Sequence, residues 1–166
     1  MRLATLLGQC DPRIDLSAIP DLDVLRICDD SRKVSPGDLF VARPGVKEDG
    51  ATYLADAAKR GAAAAIVSHV TADAPIPCVA VANPARAVSL LANLLIGSPS
   101  QQMRLLAVTG TNGKTTTTYL IRHLLKHAGK KCGMVGTVQI DDGRSTREAD
   151  MTTPSAVDVA ALLGSM

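Results

Sequence analysis

Aromatic side chains are nearly missing from this chain: there is no Trp, one Phe and two Tyr in 166 residues. Proteins that bind single-stranded nucleic acid stack bases on aromatic platforms, and a net charge of +2 leaves no basic footprint either, so nucleic acid is excluded as a partner. Long apolar runs are missing too. No stretch approaches the ~20 residues of a membrane-spanning helix, and the apolar start over residues 1–8 is too short for a secretory signal. Cys10, Cys28, Cys78 and Cys132 stand far apart with no C-x-x-C pair, so buried or free reduced thiols are expected in place of disulfides or metal ligands. These absences together predict a cytoplasmic protein.

What is present is an ordinary globular composition, 46% hydrophobic and 20% charged, with an aliphatic core. Short apolar runs at 39–42, 63–67 and 79–81 read as strands, with helices near 52–60 and 84–96. The second helix is well signalled: Asn83 caps it, Pro84 suits its first turn, and Ala87, Leu90, Leu91, Leu94 and Leu95 share a face. Strands alternating with helices predict an α/β domain over residues 1–97. The polar, turn-rich segment 97–102 reads as a linker, and a second α/β segment follows over 103–166.

That segment carries the most informative run in the chain: Gly110, Thr111, Asn112, Gly113, Lys114, Thr115 and Thr116. A strand is expected before it at 105–108. A helix is expected after it, because Leu120, Ile121, Leu124, Leu125 and Ala128 recur at helical spacing up to Gly129. A glycine-turned loop at a helix N-terminus holds anions, because its backbone N–H groups lack intrahelical partners and the helix dipole is positive there. Lys114 is placed to reach the β/γ-phosphates of a nucleotide and Thr115 to hold Mg²⁺. The common phosphate loop requires glycine at position 108, where this chain has Val108.

The shortened G-T-N-G-K-T-T resembles the ATP-binding loop of the Mur ligase family, which adds amino acids to the peptide stem of peptidoglycan precursors. Folylpolyglutamate synthases have a similar loop but usually carry glycine where this chain has Thr115. A second stretch supports the resemblance. Residues 29–42 read physically as a polar loop, a Pro-Gly turn and a strand, in which Asp and Ser could equally bond their own backbone or, with Arg32, meet a nucleotide diphosphate. The run D-S-R-x-V-x-P-G-D-L-F-V-A, followed by Gly45, Asp49-Gly50 and Gly61-Ala62, is similar to the N-terminal substrate domain of MurE and MurF ligases. That resemblance implies that Ser31 contacts the UDP-sugar. Thr152, Thr153 and Pro154 form a T-T-P segment, which alone reads as a helix cap with Thr153 at the N-cap. Beside this loop it resembles the MurE branch, which implies that Thr152 and Thr153 bind the muramoyl-dipeptide.

The resemblance therefore implies an ATP- and Mg²⁺-dependent amide ligase joining meso-diaminopimelate or lysine to UDP-N-acetylmuramoyl-L-alanyl-D-glutamate. A MurF-type or folylpolyglutamate-synthase-like ligase, a P-loop kinase or nucleotide-binding regulator, and a non-catalytic nucleotide-sugar-binding module are the alternatives. After the loop the pattern gives one helix, a strand over 134–140, a polar turn at 141–143 and a final helix from about 154. Two parallel strands do not complete a doubly wound sheet, so the chain is expected to be the front part of a longer enzyme, lacking its C-terminal portion. His123 and His127, one turn apart but off the apolar stripe, are expected to face solvent.

Overall fold

The computed structural model describes residues 1–12, 14–17, 19–45, 48–149 and 153–166. They form two compact units, Met1–Gly97 and Ser98–Met166.

In the first unit, a four-stranded sheet runs β1 (Arg26–Cys28), β2 (Asp38–Val41), β3 (Ala64–Val67), β4 (Cys78–Ala80), in that spatial order and all parallel. Every residue of β2 and of β3 is buried, as expected for strands covered on both faces. Ile27 pairs with Leu39, Leu39 with Ala64, and Ala65 with Cys78. Phe40, Ala65 and Val67 pack with Leu54 and Ala57 of α2 (Leu54–Lys59) on one face. The alternation of a strand sends Leu39, Val41 and Ile66 to the other, on the side of α1 (Leu3–Cys10) and α3 (Pro84–Leu95). Leu3, Leu6, Leu7, Val88 and Leu91 are the fully buried side chains there. Asn83 caps α3 by accepting from the Arg86 N–H at 2.9 Å, as its position predicts.

The connection from β1 to β2 carries a single 3-10 turn, Ser31–Lys33. Asp38, at the start of β2, holds its far end: the carboxylate accepts from Ser35 N–H at 2.8 Å and meets Arg26 of β1, whose guanidinium also donates to the Lys33 carbonyl at 2.8 Å. Gly61 adopts φ +90°, and a Cβ there would sit 3.1 Å from the Pro36 backbone. Glycine is therefore required for the end of α2 to close against the Pro-Gly turn, where Gly37 N–H donates to the Gly61 carbonyl at 3.0 Å.

The second unit departs from expectation in three places. Residues 105–108 are not a strand: a strand needs a neighbour for its backbone N–H and C=O groups, and none of the described residues pairs with them. Leu105 and Leu106 are instead 54% and 69% exposed. The strand expected over 134–140 is broken into β5 (Met134–Val135) and β6 (Gln139–Asp141), paired antiparallel, because the chain reverses after Gly136, whose N–H donates to the Gln139 carbonyl at 3.1 Å. A third strand, β7 (Thr146–Glu148), adds antiparallel to β6 beyond the polar turn. The sheet is thus a small antiparallel meander and not the start of a parallel one.

The linker region contains one helical turn, α4 (Pro99–Gln102). The helix after the loop forms as expected, α5 (Lys114–His127), ending before Gly129 at φ 72°. His123 and His127 stack, with ring centroids 6.4 Å apart, and both are exposed. Buried Asp141 at the end of β6 accepts from Gly143 N–H at 2.7 Å and pairs with Arg122 and Lys126 of α5. No helix among the described residues is long and apolar enough to cross a membrane.

Candidate functional site

The loop over 110–113 turns through two glycines of positive φ, Gly110 at 148° and Gly113 at 77°. Gly113 is the N-cap of α5 and makes no side-chain cap, so the first helical N–H groups have no side-chain acceptor from it. The first helical bond is Thr117 N–H to the Gly113 carbonyl, at 2.9 Å. Lys114, Thr115 and Thr116 open the helix with exposed side chains. The Lys114 ammonium folds back over the loop and donates to the carbonyls of Gly110 at 2.6 Å and Thr111 at 3.1 Å. Backbone donors, a helix dipole and one ammonium thus converge on one small surface, a chemistry suited to phosphate oxygens.

Ser31 stands at the carboxyl edge of the parallel sheet, three residues past the end of β1, and is 7% exposed. Its turn is held from several sides. Asp30 accepts from Arg32 N–H at 3.1 Å and from Arg32 Nε and Nη2, each at 2.9 Å. That guanidinium keeps the Asp30 carboxyl below the usual aspartate range. Arg60, from beyond the end of α2, donates to the Arg32 carbonyl at 3.3 Å. Below the turn, burial pushes the Cys28 thiol upward, and its Sγ donates to the Asp30 carbonyl at 3.2 Å. Residues 43–45 and 48–50 are bonded to one another beside this edge: Gly50 N–H donates to the Arg43 carbonyl and Gly45 N–H to the Glu48 carbonyl, each at 3.0 Å, while Tyr53 donates its hydroxyl proton to Glu48.

Thr152 lies outside the described residues. Thr153 is an exposed residue before α6 (Ala156–Ser165) and is not its cap. Ser155 is, through a capping box in which its hydroxyl accepts from Asp158 N–H at 3.1 Å while the Asp158 carboxylate accepts from Ser155 N–H at 3.4 Å. A cap at Thr153 would put Ala156 at the third helical position, with no side chain to return the bond. The structure therefore gathers residues 110–116 into one surface in the second unit. Ser31 belongs to the first unit. Sequence reasoning passed over one feature near Ser31: Asp29 and Arg43, fourteen residues apart, form an ion pair at 2.9 Å.

Comparison with known proteins finds a family match in each unit. The Mur ligase family catalytic domain matches residues 25–106, and the Mur ligase middle domain matches residues 108–166. The chain is 37% identical over 157 residues to a UDP-N-acetylmuramoyl-L-alanyl-D-glutamate–2,6-diaminopimelate ligase of Bacillus licheniformis, covering 95% of this chain and 32% of that protein. A solved structure of an enzyme of that name superposes with TM-score 0.67 at 24% identity, over 95% of this chain and 32% of the other. The MurF ligase of Thermotoga maritima, solved in complex with ADP, gives TM-score 0.54 at 25% identity over 87% of this chain and 30% of the other. The chain thus spans about a third of the length of the curated relatives it matches. Its α/β fold with a parallel sheet, and two adjoining family matches that between them reach from residue 25 to residue 166, place this chain in the Mur ligase family.

Proposed function

We propose that this chain supplies the nucleotide-sugar-binding and ATP-binding elements of a cytoplasmic ligase that adds a diamino acid, meso-diaminopimelate or lysine, to UDP-N-acetylmuramoyl-L-alanyl-D-glutamate in peptidoglycan synthesis. The observation that carries the reading is the loop over 110–116, with Lys114 folded across it at the start of α5. A carboxylate resists attack by an amine. Transfer of the γ-phosphoryl of ATP onto the glutamate carboxylate gives an acyl phosphate and ADP; the incoming amine then displaces phosphate and loses a proton, leaving the amide.

The backbone N–H groups of 110–116 and Lys114 would bind the triphosphate and stabilise charge on the transferring group. Thr115 would hold Mg²⁺, which supplies charge neutralisation when bound; the exposed threonine at the mouth of an anion-binding turn fits that ion. Ser31 would position the UDP-sugar, and Thr152 with Thr153 the muramoyl-dipeptide, so that orientation accounts for much of the rate.

Equilibrium titration tests the reading. The chain should bind both Mg-ATP and UDP-N-acetylmuramoyl-L-alanyl-D-glutamate. Binding of ATP alone would favour a P-loop kinase or regulator, and binding of the dipeptide alone a non-catalytic module; either result defeats the ligase assignment.

A further inference from the structure

The carboxyl edge of the sheet carries a guanidinium that the family motif does not assign. Arg43 follows β2 by two residues and reaches across to Asp29, the residue that follows β1, with Nη2 2.9 Å from Oδ2. Asp29 is nearly buried, its side chain 11% exposed, whereas Arg43 is 44% exposed. The two meet as an ion pair and not as an aligned hydrogen bond, so the contact fixes the guanidinium in place without using its planar fork. The neighbouring arginines are differently engaged: Arg32 closes on Asp30 through two nitrogens, and Arg26 closes on Asp38. Two residues of chain span at most about 7 Å, so Asp29, the anchor of Arg43, lies within that reach of the Ser31 backbone. This guanidinium is held just beyond the carboxyl ends of β1 and β2, on the same rim of the sheet as Ser31.

We infer that Arg43, anchored by Asp29, is a binding residue for the diphosphate of the nucleotide-sugar. This rests on the reading that Ser31 contacts a UDP-sugar. A guanidinium carries five N–H donors in a fixed fork that matches phosphate oxygens, and an anchor already in place lowers the ordering cost of binding. Asp29 therefore positions Arg43, and Arg43 discriminates diphosphate from the bare nucleoside.

The test is calorimetric titration of the 166-residue chain with UDP, UMP and uridine. Arg43→Ala and Arg43→Gln should each weaken UDP about tenfold or more and leave uridine within about twofold, with UMP between. Arg43→Lys should recover part of the loss, since it restores charge but not the fork. Glutamine retains a donor toward Asp29, so Arg43→Gln reports on phosphate binding even if Arg43→Ala is misfolded. Equal loss for uridine and UDP, or no loss for UDP, overturns the inference. If the unmutated chain binds no UDP, the nucleotide-sugar reading falls and takes this one with it. If unmutated chain and Arg43→Gln bind UDP alike, this inference alone fails.

Discussion

Arg26 of β1 and Asp38 of β2 face each other across the first rung of the parallel sheet, with Nη2 2.6 Å from Oδ2. Asp38 is 3% exposed, and its carboxylate also accepts from Ser35 N–H. Removing this nearly buried carboxylate leaves the Ser35 N–H without its acceptor and Arg26, which is half exposed, with only the Lys33 carbonyl and the Ser35 hydroxyl. Asp38→Ala should therefore cost about 2 kcal/mol, read as a lower urea midpoint for the first unit. A change below about 1 kcal/mol would show that water replaces the carboxylate and that the pair does not hold the turn.

Lys114 lies exposed over its own loop and packs against no core residue. Lys114→Ala should therefore leave the melting temperature nearly unchanged while weakening ATP about tenfold or more, with affinity for the UDP-muramoyl dipeptide unaffected. Fluorescence titration with a labelled ATP analogue checks this. Undiminished ATP affinity would remove Lys114 from the site.

Ser31 gives the complementary case. Ser31→Ala should weaken the UDP-muramoyl dipeptide roughly tenfold, as expected for one hydrogen bond to a charged group, and leave ATP binding as it was. Calorimetry with both ligands decides it, and an unchanged dipeptide affinity would refute the role.

Acid should loosen the same turn. The Asp30 carboxyl is held below its ordinary value by Arg32, so its contribution is complete above the unfolded aspartate pKa of about 3.9 and is lost as pH falls through the lower folded value. Denaturation midpoints of the chain and of Asp30→Asn should differ at neutral pH and converge below about pH 4. A constant difference down to pH 3 would assign the stabilisation to another group.

Leu120 and Leu124 lie on the apolar stripe of α5 yet are 57% and 58% exposed. Leu120→Ser and Leu124→Ser should therefore shift stability by no more than about 0.5 kcal/mol while reducing binding of a hydrophobic dye. A loss of 2 kcal/mol or more would mean that the stripe is covered in solution.

Strands β2, β3 and β4 were legible because the central two are short, apolar apart from Asp38 and bounded by turn residues, a pattern that survives without any knowledge of their neighbours; the short β1, led by exposed Arg26, was not read. The same logic misread 105–108, where an equally apolar run has no paired neighbour among the described residues. Strand formation depends on a partner that local sequence does not supply. β7 was missed for the opposite reason: Thr146, Arg147 and Glu148 are all exposed and polar, and carry no apolar alternation. At α6, Thr153 and Ser155 are both good capping residues; the acid at 158 settles the choice, since it returns a bond only to Ser155. The glycine-turned loop over 110–113 and α5 were readable from glycine spacing and helical period. The Asp29–Arg43 pair was not, because its two ends are joined by the register of β1 on β2 and by no pattern along the chain.

The four parallel strands lie side by side in the order in which they occur along the chain. A doubly wound sheet gains its binding crevice where strand order reverses and neighbouring connections part to opposite faces. This sheet has no such reversal, so no crevice of that kind opens between its strands, and a recess for a ligand beside Ser31 has to be assembled by the segments that follow β1 and β2. Among the described residues of those segments, 29–37, 42–45 and 48–53, Val34 and Ala42 are the buried apolar side chains that join the core. Ligand preference in this unit can therefore drift by substitution in two short stretches of surface chain while the buried strands beneath stay as they are.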